Sequence, residues 1–327
     1  MKVCIYGAGA IGGWIGVKLA QAGHDVSVVA RGATLDALAA HGLRLVEGGA
    51  THAVKVRASA DPADLGAQDV VVVAVKAPAM ASVAARIAPL LGADTVVLTA
   101  MNGVPWWFCD GLPGDFAGKR LASVDPQGDI AAAIPGARTL GCVVHAACAT
   151  DAPGVIRHVQ GKGLIVGEAA GRPSERVKAL CARLTEAGFE ASACDQIQRE
   201  VWFKLWGNMT MNPISAITGA TTDRILGDDL VREFVTSIML EAKEIGTRFG
   251  IPIDQQPADR HAVTLRLGAI KTSMLQDVEA SRPVELDALV AAVCELGRMT
   301  GVTTPFTDAL FGLARLKART LGLYPAD

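Results

Sequence analysis

A glycine run placed between a strand and a helix constrains this chain most. Gly7-Ala8-Gly9-Ala10-Ile11-Gly12 follows the apolar segment Val3-Cys4-Ile5-Tyr6 and leads into Trp14-Ile15-Gly16-Val17-Lys18-Leu19-Ala20, which reads as a helix. In that context G-x-G-x-x-G binds the pyrophosphate of a dinucleotide. The first glycine makes the tight turn, the second lets backbone approach phosphate, and the third lets helix pack on strand. The helix start then offers unpaired N–H groups to the anion. Residues 7 to 12 are all expected to line the phosphates. The next strand, Asp25-Val26-Ser27-Val28-Val29, ends in Ala30-Arg31. An acidic residue here would suit the free ribose 2′-hydroxyl of NAD, whereas arginine suits a 2′-phosphate. A solvated loop cation is the plainer alternative for Arg31. The pattern points to NADP(H) over NAD(H).

Strand and helix signals alternate through the first half, which argues for a mostly parallel sheet covered by helices. Strands are expected at 2–6, 25–29, 43–47, 70–75 and 95–99, and again at 139–149 and 155–167 in mixed sense. A helix should open at Ser174 and end near Gly188. From about Gln196 the texture becomes helical. Apolar stripes recur at Phe234–Phe249, at Leu286–Leu296, and at Phe306, Leu310, Leu313 and Leu316, and each reads as a core face. The expected fold is therefore an α/β Rossmann-type N-terminal domain, residues 1–195, with a mostly helical C-terminal domain, residues 196–327. A length of 327 residues suits two such domains. Within the first domain, after Gly103, lies the irregular stretch Val104-Pro105-Trp106-Trp107-Phe108, whose tryptophans could anchor a core or cover a pocket.

Composition narrows the function classes. With 31 basic and 33 acidic residues the formal charge is −2, so affinity for nucleic acid or another polyanion does not follow. No apolar run is long enough to span a membrane. The seven cysteines and six histidines show no C-x-x-C and no metal-ligand spacing. Reduced cysteines, a cytoplasmic location and no metal site are the expectation.

The segment Glu200-Val201-Trp202-Phe203-Lys204-Leu205-Trp206-Gly207-Asn208-Met209-Thr210-Met211-Asn212-Pro213 carries the chemistry. Lys204, Asn208 and Asn212 are four apart and share one helix face, drifting about 40° per step. The remaining surface is apolar nearly all round, so the helix should be buried. Buried polar groups need partners, and a desolvated lysine is a recurrent catalytic device. A polar network without catalysis, or a lysine reaching solvent, is the structural alternative. Pro213 should bias Asn212 away from helical geometry.

With these motifs the chain resembles the ketopantoate reductase (2-dehydropantoate 2-reductase) family. The likeness runs nearly end to end, through Gly7-x-Gly9-x-x-Gly12, Arg31, Val75-Lys76, Asn102-Gly103, Lys204-x-x-x-Asn208-x-x-x-Asn212-Pro213, Ser273-Met274-Leu275-Gln276-Asp277 and Glu285-x-Asp287. The resemblance implies NADPH-dependent reduction of a 2-keto acid to the 2-hydroxy acid. It implies Lys204 as general acid and Glu285 as the carboxylate that holds substrate and orients Lys204. Asn102 would lie near nicotinamide and substrate, and Lys76 near the adenosine phosphate. Asn208, Asn212 and Ser273 would hold substrate, with Ser273 on its carboxylate; a helix N-cap is the alternative for Ser273. A surface salt bridge is the alternative for Glu285, and a loop lysine for Lys76.

Two positions depart from the family pattern. Met101 stands where glutamine usually precedes the Asn-Gly, and Thr222 falls where a further substrate-contacting asparagine is common. Lost donors at substrate positions change substrate identity more readily than reaction type. A β-hydroxyacid dehydrogenase-like enzyme and a non-catalytic NADPH sensor are the competing readings. The expected partner is a small keto acid, and a second copy in a homodimer would account for any apolar stripe not facing its own core.

Overall fold

The computed structural model describes residues 1–171, 174–266 and 268–326. The chain divides into two compact units, one of Met1–Met101 with Gln127–Ile197, the other of Asn102–Pro126 with Gln198–Asp327.

The first unit is built on one mixed sheet. Its strands are β1 (Lys2–Tyr6), β2 (Asp25–Val29), β3 (Leu43–Glu47), β4 (Ala50–Val54), β5 (Arg57–Ser59), β6 (Gln68–Val73), β7 (Leu91–Thr99), β8 (Thr139–Ala152), β9 (Val155–Glu168) and β10 (Glu190–Ala193). The order is β4-β3-β9-β8-β7-β6-β1-β2-β5, with β10 also paired to β9. The run from β8 to β5 is parallel throughout, as a Rossmann-type unit requires. β8 and β9 are antiparallel, which gives the sheet its mixed character. Val3, Ile5, Val28, Val72 and Leu98 are buried at the centre, and α1 (Ala10–Gln21) adds Trp14, Ile15 and Leu19 to the same core. Helices α2 (Gly32–His41), α3 (Met80–Ala84), α4 (Asp129–Ala133) and α5 (Glu175–Glu186) complete the unit. Ser174 caps α5, accepting from the Val177 N–H.

Sequence and structure differ here in detail. The strand expected at 70–75 begins at Gln68 and ends at Val73, and the one at 95–99 starts at Leu91. β4 was not expected: it returns antiparallel to β3 through Gly48-Gly49, whose φ values of 59° and 83° suit a two-residue hairpin turn.

The second unit is helical, with α6 (Ile197–Thr218), α7 (Thr222–Gly227), α8 (Asp229–Arg248), α9 (Pro257–Arg266), α10 (Ser273–Glu279), a π-helical turn at Asp287–Ala291, α11 (Ala292–Thr300) and α12 (Pro305–Thr320). The Trp202 indole N–H donates to the Ala242 carbonyl at 3.2 Å and that of Trp206 to Met239 at 2.7 Å, tying α6 to α8. Buried indoles need such acceptors.

Three sequence expectations change. The segment 102–126, placed by order in the first domain, belongs to the helical unit, where Val104, Phe108, Cys109, Leu112 and Leu121 join the core. The Glu295 carboxylate accepts from the Ala122 and Ser123 N–H groups, both at 2.8 Å, and holds its far end. Trp106 and Trp107 are both buried, so they anchor rather than cover. Lastly, the stripe Phe306-Leu310-Leu313-Leu316 is not a core face. Only Leu310 is buried; α12 turns Thr307, Ala314 and Ala318 inward and leaves Leu313 and Leu316 exposed.

Candidate active site

The glycine run spans the end of β1 and the start of α1. Gly7 has φ of 100°, and a Cβ there would come 2.7 Å from Val75 Cγ1 and 3.1 Å from the Ala74 carbonyl. At Gly12 a Cβ would lie 2.1 Å from the Gly7 carbonyl oxygen, so α1 closes on the turn only because Gly12 has no side chain. Gly9 is the opposite case, exposed, with nothing within 4 Å of where a Cβ would be. It is the N-cap of α1, no side chain caps that helix, and no acidic residue occupies its first turn. Two glycines thus shape the turn, and the third leaves an open approach to unpaired N–H groups. These residues fit a dinucleotide pyrophosphate.

Arg31 lies two residues beyond β2, exposed, at the N-cap position of α2 with no side-chain cap there. A guanidinium beside a helix N-terminus is a favourable seat for a phosphate dianion. Lys76 is exposed three residues past the end of β6. Ala8 is buried, whereas Ala10 and Ile11 are half-buried in the first turn of α1.

The other candidate residues gather in the helical unit. α6 runs unbroken through Pro213, so Asn212 keeps helical geometry, contrary to the expectation from its neighbour. A proline inside a helix forfeits one backbone hydrogen bond, and here the buried surroundings of Met211, Asn212 and Ile214 hold the helix together regardless. The row Lys204, Asn208 and Asn212 therefore stands on one face. Lys204 Nζ donates to Asn102 Oδ1 at 3.0 Å, joining residues 102 positions apart. Two turns along, Asn212 Nδ2 donates to Ser273 Oγ at 3.5 Å.

Asn102 is held by a feature that sequence reasoning missed. Gly103 has φ of 83° and lies so close to the π-helical turn that a Cβ would come 2.7 Å from both the Cβ and the carbonyl oxygen of Ala288. The same oxygen accepts the Val104 N–H at 2.8 Å. Glu285, buried at 5 % exposure, lies just ahead of that turn. Asp287 accepts from the Tyr324 hydroxyl; burial raises its carboxyl pKa, and the Tyr324 bond only partly opposes this.

The N-cap of α10 is Thr272, whose Oγ1 accepts from the Leu275 N–H at 3.3 Å. That overturns the capping alternative for Ser273, which is the first residue of the helix and is exposed. Asp277 in the same motif is buried and paired with Arg282 Nε at 3.0 Å. Thr222, buried, donates to the Gly268 carbonyl at 2.9 Å and accepts from the Ile270 N–H at 3.3 Å. Its hydroxyl is spent on pinning α7 to the 268–270 turn.

A nucleotide held on the glycine loop would supply the hydride that no protein side chain can deliver. The class is that of NADP-dependent oxidoreductases with a Rossmann-type unit and a helical unit. The ketopantoate reductase PanE/ApbA family matches residues 3–171, and the ketopantoate reductase PanE/ApbA C-terminal family matches residues 196–318. A 2-dehydropantoate 2-reductase of Mesorhizobium japonicum is 48 % identical over 99 % of this chain and 100 % of its own. One from Archaeoglobus fulgidus is 29 % identical over 96 % of this chain and 97 % of its own. A solved structure of a candidate ketopantoate reductase from Ralstonia solanacearum MolK2 matches with a TM-score of 0.96 at 58 % identity, over 99 % of both chains. The chain belongs to the ketopantoate reductase family.

Proposed function

We propose that the chain reduces 2-dehydropantoate, or a closely related 2-keto acid, to the 2-hydroxy acid with NADPH, as in pantothenate biosynthesis. The 48 % identity to a full-length 2-dehydropantoate 2-reductase supports the substrate, and the Lys204–Asn102 bond carries the mechanism. NADPH would supply hydride to the C2 carbon. Lys204 gives a proton to the C2 oxygen as negative charge develops there, and its ammonium stabilises that charge in a site where water screens little. Asn102, accepting from the amine, fixes its direction. Glu285 helps hold Lys204 and substrate, while Asn208, Asn212 and Ser273 hydrogen-bond the substrate's polar groups. The loop from Gly7 through Ala8, Gly9, Ala10 and Ile11 to Gly12 cradles pyrophosphate. Arg31 takes the 2′-phosphate, Lys76 serves the adenosine end, and Asn102 also faces the nicotinamide. In this reading residues 1–195 without the 102–126 segment serve the cofactor, and 196–327 with it serve substrate and chemistry.

Lys204→Ala tests the assignment. It should lower kcat by roughly 100- to 10,000-fold, the usual worth of a positioned acid, while NADPH binding followed by fluorescence is kept. Unchanged turnover would sink the role. Arg31→Ala should weaken NADPH far more than NADH, and equal losses would count against a 2′-phosphate contact. Free thiols at all seven cysteines accord with a cytoplasmic setting. The exposed Leu313 and Leu316 offer an apolar face to a second copy in a homodimer.

A further inference from the structure

The segment that follows α12 reaches the stretch that carries Glu285. It is firmly held at its own end. The Leu323 N–H donates to the Ala318 carbonyl at 2.8 Å and the Gly322 N–H to that of Arg319 at 2.9 Å, a Schellman-type close to α12. Leu323 is buried. Arg319 secures the next two residues, its guanidinium 5.8 Å from the Tyr324 ring centroid and its Nε donating to the Pro325 carbonyl at 2.8 Å.

From this anchored segment two hydrogen bonds cross to either side of Glu285. The Leu323 carbonyl accepts the Val284 N–H at 3.1 Å, and the Tyr324 hydroxyl donates to the Asp287 carboxylate. Glu285 and Leu286, both buried, lie between those fixed points. Asp287 is also the first residue of the π-helical turn. A carboxylate as buried as Glu285 is tolerated only where its surroundings hold it against partners. A π turn is likewise an uncommon geometry that persists where neighbours enforce it. The Val284 bond is backbone to backbone, so it does not depend on the side chain at 323. The Asp287 bond depends on a phenol. Burial raises the pKa of the Tyr324 hydroxyl and the bond to Asp287 acts in the same sense, against the charges of Arg315 and Arg319. The hydroxyl therefore stays a donor throughout the neutral range.

We infer that Tyr324 is a positioning residue for the reduction: by holding Asp287 while Leu323 holds Val284, it fixes the Glu285 carboxylate between them. The inference rests on the reductase reading above, in which Glu285 holds substrate and Lys204. Without the hydroxyl, the π turn is free to relax toward α geometry. Each residue of an α-helix turns about 100°, so such a relaxation changes the direction in which Glu285 enters the site. Tyr324 lies outside every motif that carries the family resemblance, and it acts through Asp287 rather than on substrate.

Tyr324→Phe in the full chain tests this, since it keeps the ring and removes only the hydroxyl. It should lower kcat/KM for 2-dehydropantoate roughly tenfold, as a shift of less than 1 Å in a reacting group would. NADPH affinity, followed by fluorescence, should stay at the parent value. Asp287→Asn keeps an acceptor for the phenol and should retain most of the activity, whereas Asp287→Leu should match Tyr324→Phe. Added to Glu285→Gln, Tyr324→Phe should cost less than about twofold more, because the group it positions is already gone. A tenfold loss that persists in full on Glu285→Gln would overturn the proposal, since the hydroxyl would then act elsewhere. Full activity in Glu285→Gln itself would do the same. So would a lowered urea midpoint in Tyr324→Phe with parent-like kcat/KM, the mark of a purely structural bond. If the parent reduces 2-dehydropantoate and Tyr324→Phe is equally active, the proposal falls and the reductase reading stands. If the parent reduces no 2-keto acid, the reading falls and takes the proposal with it.

Discussion

Replacing Gly103 by alanine should damage both stability and turnover, and the structure sets the size of the effect. The residue has φ of 83°, a left-handed backbone that costs a residue bearing a β-carbon about 1–2 kcal/mol. The new methyl would lie 2.7 Å from the Ala288 carbonyl oxygen and 2.8 Å from its carbonyl carbon, both backbone atoms. Overpacking against atoms that cannot rotate away adds about 1–3 kcal/mol. Together they come to about 2–5 kcal/mol, a large share of the 5–15 kcal/mol that holds a typical domain folded. The strain is relieved by moving the 102–104 turn off the π-helical turn, which lengthens the Lys204–Asn102 bond now at 3.0 Å. A displacement near 1 Å in a reacting group can cost about 100-fold in rate. Urea unfolding should show a lower midpoint at unchanged slope, and kcat should fall with NADPH affinity intact. Adding Ala288→Gly should rescue little, because it removes the methyl contact but leaves the carbonyl oxygen at the same 2.7 Å. An unchanged midpoint together with unchanged kcat would refute the account of the clamp.

Gly12→Ala places a methyl 2.1 Å from the Gly7 carbonyl, so α1 must separate from the turn. NADPH affinity in a fluorescence titration should drop at least about tenfold, and parent-like affinity would show that the close approach is dispensable. Burial pushes the thiols of Cys4, Cys109, Cys148 and Cys294 up to about 12. At pH 8 they are protonated and should resist iodoacetamide until the chain is denatured; peptide mapping that finds any of the four alkylated in the native protein would contradict this. Burial lowers the pKa of His261, with the charge of Arg232 acting in the same sense. The unfolded chain then binds the proton more readily, so this residue's contribution to stability is intact above the unfolded pKa and is lost as pH falls through the lowered folded value. His261→Gln should flatten the decline of Tm from pH 7 downward, and an identical decline in both proteins would exclude His261 as its source.

The glycine turn was legible because its instructions are local. Glycines at three fixed offsets, a strand before and a helix after all lie within twenty residues; Gly7 and Gly12 are each fixed by steric crowding, and Gly9 leaves an open approach. β4, β5 and β10 were harder, being short and carrying little hydrophobic alternation, as the exposed Ala-Thr-His-Ala of β4 shows. The α12 stripe misled for a different reason. Leucine and phenylalanine at helical spacing suggest burial by transfer energy alone. Yet the inward face is Thr307, Leu310, Ala314 and Ala318, in which small residues permit close packing and the larger leucines are left outside.

The polar row proposed for catalysis shows where a sequence stops being readable. On α6 the pattern Lys204, Asn208, Asn212 identifies a polar face on an otherwise apolar helix, and burial makes partners obligatory. Those partners come from 102 and 61 positions away along the chain, Asn102 and Ser273, and neither is implied by helical spacing. The turn that delivers Asn102 depends in turn on residues 287–291. The run Asp287-Ala288-Leu289-Val290-Ala291 reads as ordinary α-helix, but its π geometry accompanies a carbonyl at Ala288 that receives the Val104 N–H. One extra residue in a helical turn thus helps set where an asparagine 186 positions earlier meets a lysine. That dependence predicts an asymmetry: substitutions at Ala288 should disturb kcat as much as substitutions at Asn102 itself, although Ala288 has no functional group to offer.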